Sequence, residues 1–367
     1  MARRLIITCM KNEGPFILEW LAHHLSIGFD HVLVFTNDCD DGTVELLDKL
    51  SEHGFVTRMD NPYLNMRHGV NPQKGALKYA QNLDLVKDSE WILISDVDEY
   101  ANIHVGDGEL DDLFAAVPKA EMISMQWRLF GNASQKGYDD VLLTEKFTRC
   151  APEFCHTPIQ AWGMKTLFKT QGPGIAGSYG KLGVHRPLRK MIEGQVPWVN
   201  GSGAQVPEDY YDEGWRFGIR DYGYELVTLN HYAVRSAESF LVKRDRGRVN
   251  HVNRDQGSIY WLRMNFNMEE DTSIQRRVPK TKAMLEKLLA LEGIKELHET
   301  AVALHRQKIQ ELLEREDMSA FFDEITSEKM DIISRHLNFV SRGSFQSGPK
   351  TIPDELIDRL REVPVLS

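Results

Sequence analysis

Short apolar runs alternate with helical-period segments over the first hundred residues, and this alternation constrains the fold more than any other feature. Arg4–Met10, His31–Thr36, Phe55–Met59 and Trp91–Ser95 have the length and composition of strands buried on both faces. Between them, Phe16–Ile27 carries Ile17, Leu18, Leu21 and Leu25 at helical spacing. Asp41-Gly42-Thr43 opens a second helix through Leu46, Leu47 and Leu50. Asn71-Pro72 opens a third, running toward Val86, with proline in the tolerated first turn. Buried strands joined by helices predict an α/β fold with a parallel sheet and right-handed crossovers.

In such sheets ligands sit beyond the carboxyl ends of the strands. The segments there are Lys11-Asn12-Glu13-Gly14, Asn37-Asp38-Cys39-Asp40-Asp41-Gly42 and Asp96-Val97-Asp98-Glu99-Tyr100. Carboxylates crowded at one edge repel unless something positive sits among them. The chain as a whole is acidic too, with 44 Lys and Arg against 54 Asp and Glu, a net charge of -10. That balance argues against nucleic acid and anionic membrane as partners. Lys243, Arg244, Arg246 and Arg248 form a local basic run, but without interleaved aromatics. At 42% hydrophobic and 27% charged residues, the composition excludes collagen-like, disordered and disulfide-scaffold classes.

The 4 cysteines, Cys9, Cys39, Cys150 and Cys155, read as reduced thiols. Cys150, Cys155 and His156 invite a zinc reading, but the spacing is unusual and no second pair exists. The apolar run at the start is too short for a signal-peptide core, and no stretch approaches the ~20 apolar residues that span a bilayer. The expected location is the cytoplasm.

Residues 120–235 differ from the first hundred. Met122–Phe130 reads as a strand, and glycine then clusters at Gly131, Gly172–Gly183 and Gly201–Gly203. This composition predicts loops around a site rather than a second core. Trp127, Trp162, Trp198 and Trp215 fall here, suited to sugar faces or to core packing. After Ser236 the chain turns helical, with a long helix over Lys280–Glu316, another within Asp317–Arg342 and a short last one over Pro353–Arg361. Gly343–Pro349 reads as a linker.

Asp96-x-Asp98-Glu99 is the sharpest chemical feature. It follows Trp91–Ser95, so it sits where a buried strand exits. Two carboxylates at that spacing suit a hard divalent cation, Mg²⁺ or Mn²⁺, which would bridge a diphosphate and neutralise a leaving group. The plain alternative is a solvated acidic turn. Asn37 and Asp38 present planar acceptors suited to a nucleobase. Asn12 and Glu13 do likewise, or cap the helix that follows.

Lys11–Trp20, Gly28–His31, Asn37–Thr43 and Ser95–Tyr100, followed by Trp127–Asn132, Glu145–Arg149, Asn230–Ser236 and Phe240–Gly247, resemble in order the family 2-like glycosyltransferases, in the subgroup related to family 92. The resemblance covers about residues 4–250. It implies a GT-A fold with a mainly parallel central sheet and a helical C-terminal extension. A GT-A domain would occupy residues 1–250, with a nucleotide-binding half to about 120 and an acceptor half beyond it, and a helical region would fill 251–367. The activity implied is sugar transfer from a nucleotide diphosphosugar to a glycan or other hydroxyl acceptor.

Asp98 would then coordinate Mn²⁺ or Mg²⁺, Asp96 would touch the metal or the ribose, and His231 would be a third ligand, with His185 its rival. Asn12, Glu13, Asn37 and Asp38 would line the nucleoside pocket. The usual family 2 loop of two acidic residues followed by Gly-Ser is replaced here by Asn37-Asp38-Cys39-Asp40. Lys243 and Arg246 would neutralise the departing diphosphate. Inversion needs a carboxylate base within about 2.6–3.2 Å of the acceptor hydroxyl, for which Asp209 and Glu145 are the candidates. The leading expectation is thus a metal-dependent transferase, inverting, with a UDP-sugar donor. The alternatives are an inactive relative that binds a glycan or nucleotide, and a phosphatase using Asp96 as nucleophile. Oligomerisation stays open.

Overall fold

The computed structural model describes residues 3–66, 70–171, 181–188, 196–212, 214–247 and 256–364. Arg248 and most of the glycine cluster at 172–183 lie outside the described residues. The expected strands are present as β1 (Arg3–Met10), β2 (His31–Thr36), β3 (Val56–Asp60) and β4 (Ser89–Ile94). They pair in parallel in the order β3-β2-β1-β4.

Their unbroken apolar character follows from burial on both faces. Ile6, Val32, Val34 and Leu93 share one core with the helix Ile17–Ser26. Their sequence neighbours Leu5, Ile7, Leu33 and Ile92 share the opposite core with the helix Pro72–Ala80. Each such side chain removed from water stabilises the sheet by about 1.5–3 kcal/mol.

The middle of the chain extends this sheet. Its strands are β5 (Glu99–Ile103), β6 (Met122–Leu129), β7 (Arg149–Cys150), β8 (Met164–Lys169), β9 (Trp198–Val199) and β10 (Val227–His231), with β11 (Glu269–Glu270) paired to β7 in a separate ribbon. The 9-stranded sheet continues from β4 as β8-β6-β10-β5, with β9 on β6. The expectation of loops here is therefore corrected. These strands carry polar residues such as Lys165, Gln126 and Asn230 at fully buried positions, which hides their apolar period.

Two pairings position the site. β8 runs antiparallel to β4 and β6, so its first residues, Met164 and Lys165, arrive at the edge where β4 and β6 end. β10 runs antiparallel to β5 with His231 opposite Glu99. That register brings the histidine beside the Asp96-x-Asp98 loop.

The C-terminal region is helical, as expected. The long helix is broken in two, Val278–Leu289 and Ile294–Leu313. Gly293, at φ 78°, turns the chain between them. The presumed linker is instead the helix Arg342–Ser347, which Phe345 anchors in a core. Val278–Leu289 packs on Ile17–Ser26, and Ile294–Leu313 lies over the turn after β1. The approach there is close, since a Cβ on Gly14 would stand 2.8 Å from the Cβ of Ala301. No helix among the described residues is long and apolar enough to cross a membrane.

Candidate functional site

A cavity of about 370 Å³ opens beyond the carboxyl ends of the strands, where the chain pattern placed it. Glu13 after β1, Asp96 and Asp98 after β4, and His231 at the end of β10 line it together with Lys243 and Arg246. Lys243 stands on the helix Ala237–Asp245, which Ser236 caps by accepting from Ser239 N.

Asp98 is the centre of this group. Its Oδ2 accepts from Lys243 Nζ at 2.6 Å, and its Oδ1 lies 3.5 Å from His231 Nε2. Lys243 also donates to the carbonyl of Ala233 at 2.7 Å. Burial would raise the Asp98 carboxyl, but Lys243 and His231 outweigh it and hold the group well below the usual carboxylate range. Glu13 behaves alike. Arg235 Nη1 pairs with its Oε2 at 2.9 Å and Arg246 with its Oε1, so the carboxyl is lowered despite burial.

Asp96 is held differently. Its backbone N–H donates to Glu99 Oε2 at 2.8 Å, and its carboxylate receives Gln73 Nε2 and Lys165 Nζ, each at 3.2 Å. Lys165 is wholly buried and stands 3.6 Å from Glu99 as well. Trp127 Nε1 completes the knot by donating to Glu99 Oε1 at 2.8 Å. Burial, more than any neighbour, raises the Glu99 carboxyl. Lys165 and Arg235 escaped sequence reasoning as site residues, and Glu99 was seen in the Asp96-x-Asp98-Glu99 motif but given no role. For Lys165 the signal was a lysine set in the apolar run Met164–Phe168.

The expected ligands Asp98 and His231 face each other, and His231 Nδ1 is buried without a hydrogen-bond partner. Asp96, the third expected ligand, is turned to Gln73 and Lys165. Among the described residues no group of three or more His, Cys, Asp or Glu is placed to hold a metal, which also bears on the zinc reading of Cys150, Cys155 and His156. All four cysteines are free thiols. One carboxylate oxygen of Asp98 and one imidazole nitrogen of His231 would leave most positions of a divalent cation to water or phosphate oxygens, and Lys243 already holds the other Asp98 oxygen. His185 binds Met164 O through Nδ1 at 3.0 Å and belongs to an aromatic wall rather than to the Asp98 group.

The remaining candidates stand elsewhere. Asn12 ties two loops together, its Oδ1 accepting from Asp40 N at 2.9 Å and its Nδ2 donating to Asp40 Oδ1 at 2.5 Å. Asn37 donates to Asp38 Oδ2 at 3.0 Å and lines neither cavity. Asn12 and Asp38 line a neighbouring cavity of about 530 Å³, with Lys308 of the C-terminal helix, and Arg246 borders both spaces.

Neither expected base lines the first cavity. Glu145 pairs with Lys282 at 2.8 Å on the surface, because the short helix Leu143–Lys146 carries it outward against the helix Val278–Leu289. Asp209 is exposed at the start of the helix Asp209–Asp212.

The other side of the first cavity is aromatic. Trp127 lies 4.6 Å from the His231 ring and 6.0 Å from that of Trp215, centroid to centroid. Gly163 makes room for it, since a Cβ there would fall 2.3 Å from Trp127 Cε3.

Comparison with known proteins gives a family match, two relatives and one solved structure. Residues 5–160 match the family model described as Glycosyltransferase family 92. A glycosyltransferase family 92 protein of Ricinus communis is 27% identical over 94 residues, covering 25% of this chain and 15% of that protein. One from Arabidopsis thaliana is 25% identical over 96 residues, covering 26% and 16%. The chain thus aligns with only about a sixth of the length of these relatives. A crystal structure of S. aureus TarS 1-349 in complex with UDP aligns with a TM-score of 0.28 and 18% identity, covering 46% of this chain and 47% of that one.

Proposed function

We propose that this protein is a glycosyltransferase that moves a sugar from a nucleotide diphosphosugar, a UDP-sugar, to an acceptor hydroxyl. The observation that carries this reading is the cavity itself. Within the family-matched segment, Glu13 and Asp98 stand at the strand ends, and Lys243 and Arg246 close over them from beyond it.

Cations held in place by buried carboxylates need no reorganisation to meet the charge that builds on a departing diphosphate. Lys243 is fixed by Asp98 and the Ala233 carbonyl. Arg246 is fixed by Glu13 and by the Asn12 carbonyl at 2.7 Å. Their remaining N–H groups are available to phosphate oxygens. A divalent cation, Mn²⁺ or Mg²⁺, held by Asp98 and His231 would add positive charge to the same leaving group.

The test is a panel of nucleotide diphosphosugars assayed by thermal shift and by transfer, with Mn²⁺ and with chelator. A bound donor raises the unfolding temperature. Asp98→Asn should lower transfer by about 10²–10³-fold while the protein stays folded. Full transfer by that variant, or no shift with any donor, overturns the reading. Full transfer in excess chelator removes the metal alone.

A further inference from the structure

The glycosyl-transfer reading uses the carboxylate side of the cavity and leaves the aromatic side without a ligand. That side is a continuous strip. From His231 it passes over Trp127 to Trp215, on which His185 stacks at 4.6 Å with planes 21° apart. The strip ends at Arg216, whose guanidinium carbon lies 3.8 Å from the centre of the Trp215 ring. The rings meet at steep angles, 48° between Trp127 and His231 and 64° between Trp127 and Trp215, so they form an angled wall, and His185 and Arg216 already pack on the Trp215 ring.

Arg216 differs from the other cations here. Lys243 and Arg246 are tied to Asp98 and Glu13, but among the described residues no carboxylate pairs with Arg216. Its Nε is buried with no hydrogen-bond partner, and burial lowers its pKa with no anion to offset the effect. Contact with Trp215 anchors the guanidinium, and with no carboxylate on it the Nη groups remain to meet a planar anion. The backbone bridge from Arg216 to Gly163 sets this edge beside β6 and β8, on a different element from Lys243 and Arg246.

We infer that the acceptor is an acidic sugar whose carboxylate or phosphate group is bound by Arg216, at the end of the Trp127–Trp215 wall. This rests on the glycosyl-transfer reading. A charge-assisted bidentate contact predicts a preference of about ten- to a hundredfold in kcat/KM for the acidic acceptor over its neutral counterpart.

The experiment compares wild type, Arg216→Gln and Arg216→Lys on paired oligosaccharides. One pair ends in glucuronate or glucose, the other in glucose 6-phosphate or glucose, and the two acidic arms separate carboxylate from phosphate recognition. Donor hydrolysis and the thermal shift with nucleotide diphosphosugar are read in parallel. The acidic preference should vanish in Arg216→Gln and be intermediate in Arg216→Lys, which keeps the charge but loses the planar fork.

Equal use of acidic and neutral acceptors by wild type overturns the inference, as does an acidic preference that survives in Arg216→Gln. A loss of the donor thermal shift in Arg216→Gln overturns it as well, by assigning Arg216 to the diphosphate. Absence of transfer, hydrolysis and donor shift in all three proteins overturns glycosyl transfer instead. In that case the thermal shift of wild type and Arg216→Gln with glucuronate and glucose 6-phosphate decides the anion site alone. A shift confined to wild type supports the site, and none in wild type rejects it.

Discussion

Replacing Lys165 with methionine tests whether one buried ammonium holds the Asp96–Glu99 knot together. Its Nζ lies 3.2 Å from Asp96 and 3.6 Å from Glu99. At an effective dielectric constant of about 20, each contact represents about 5 kcal/mol of gross attraction, part of which offsets the loss of hydration. Removing one partner of such a buried group costs about 3–5 kcal/mol, because two carboxylates are then left facing each other.

The protein has one escape, protonation of Glu99, whose carboxyl burial already raises. Losing Lys165 moves it further up. A carboxyl raised in the folded state binds a proton that the unfolded chain releases, so stability falls as pH rises through the window between the two values. The wild type shares this slope up to its own Glu99 titration, and the variant carries it to higher pH. The deficit of Lys165→Met should therefore grow with pH, by up to about 1.4 kcal/mol per unit, and be smallest where Glu99 is protonated in both proteins.

Urea unfolding at pH 6 and pH 9, followed by tryptophan fluorescence, measures the deficit. Glu99→Gln in the same chain should remove most of its pH dependence. A deficit below about 1 kcal/mol at pH 9, or one identical at both pH values, refutes this account of the knot.

Three buried histidines predict acid sensitivity. Burial lowers His23 to about 4, and His185 and His305 to about 3, so all are neutral in the folded protein. The unfolded chain takes up their protons below about pH 6.5, so the stability they confer is complete above that value and is lost as pH falls toward their folded values. Each contributes a slope of about 1.4 kcal/mol per pH unit. Urea midpoints should drop from pH 6.5 to 5, and less steeply in His305→Gln; equal slopes would count against the assignment. Gly163→Ala should displace the Trp127 ring, cost about 1–3 kcal/mol and reduce transfer. An unchanged melting temperature together with full transfer would show that the close approach is unimportant.

The parallel half was legible because strands covered on both faces must be apolar at consecutive positions, and Leu5, Ile6 and Ile7 satisfy that in one short run. The Asp96-x-Asp98 loop was legible for the same reason, since it follows such a run. β8 was not, because a wholly buried lysine interrupts its pattern. Gly343–Pro349 misled because serine and glycine at a helix cap resemble a linker until Phe345 is seen to be buried.

The sequence by itself determined the alternating α/β order, the sheet edge at which the cavity opens, the carboxylates at that edge and the helical C-terminal region. These depend on local period and on neighbours in the chain, which are written in consecutive residues. Only the tertiary structure decided which partners those carboxylates have. Lys165 reaches Asp96 because β8 is antiparallel, His231 reaches Asp98 through the β10–β5 register, and Lys243 and Arg246 arrive from a helix and its C-terminal cap more than a hundred residues away. It also left Glu145 and Asp209 outside the cavity and put Arg216 at the end of the aromatic strip. Pairing between distant segments depends on strand order and register, and no local spacing encodes either.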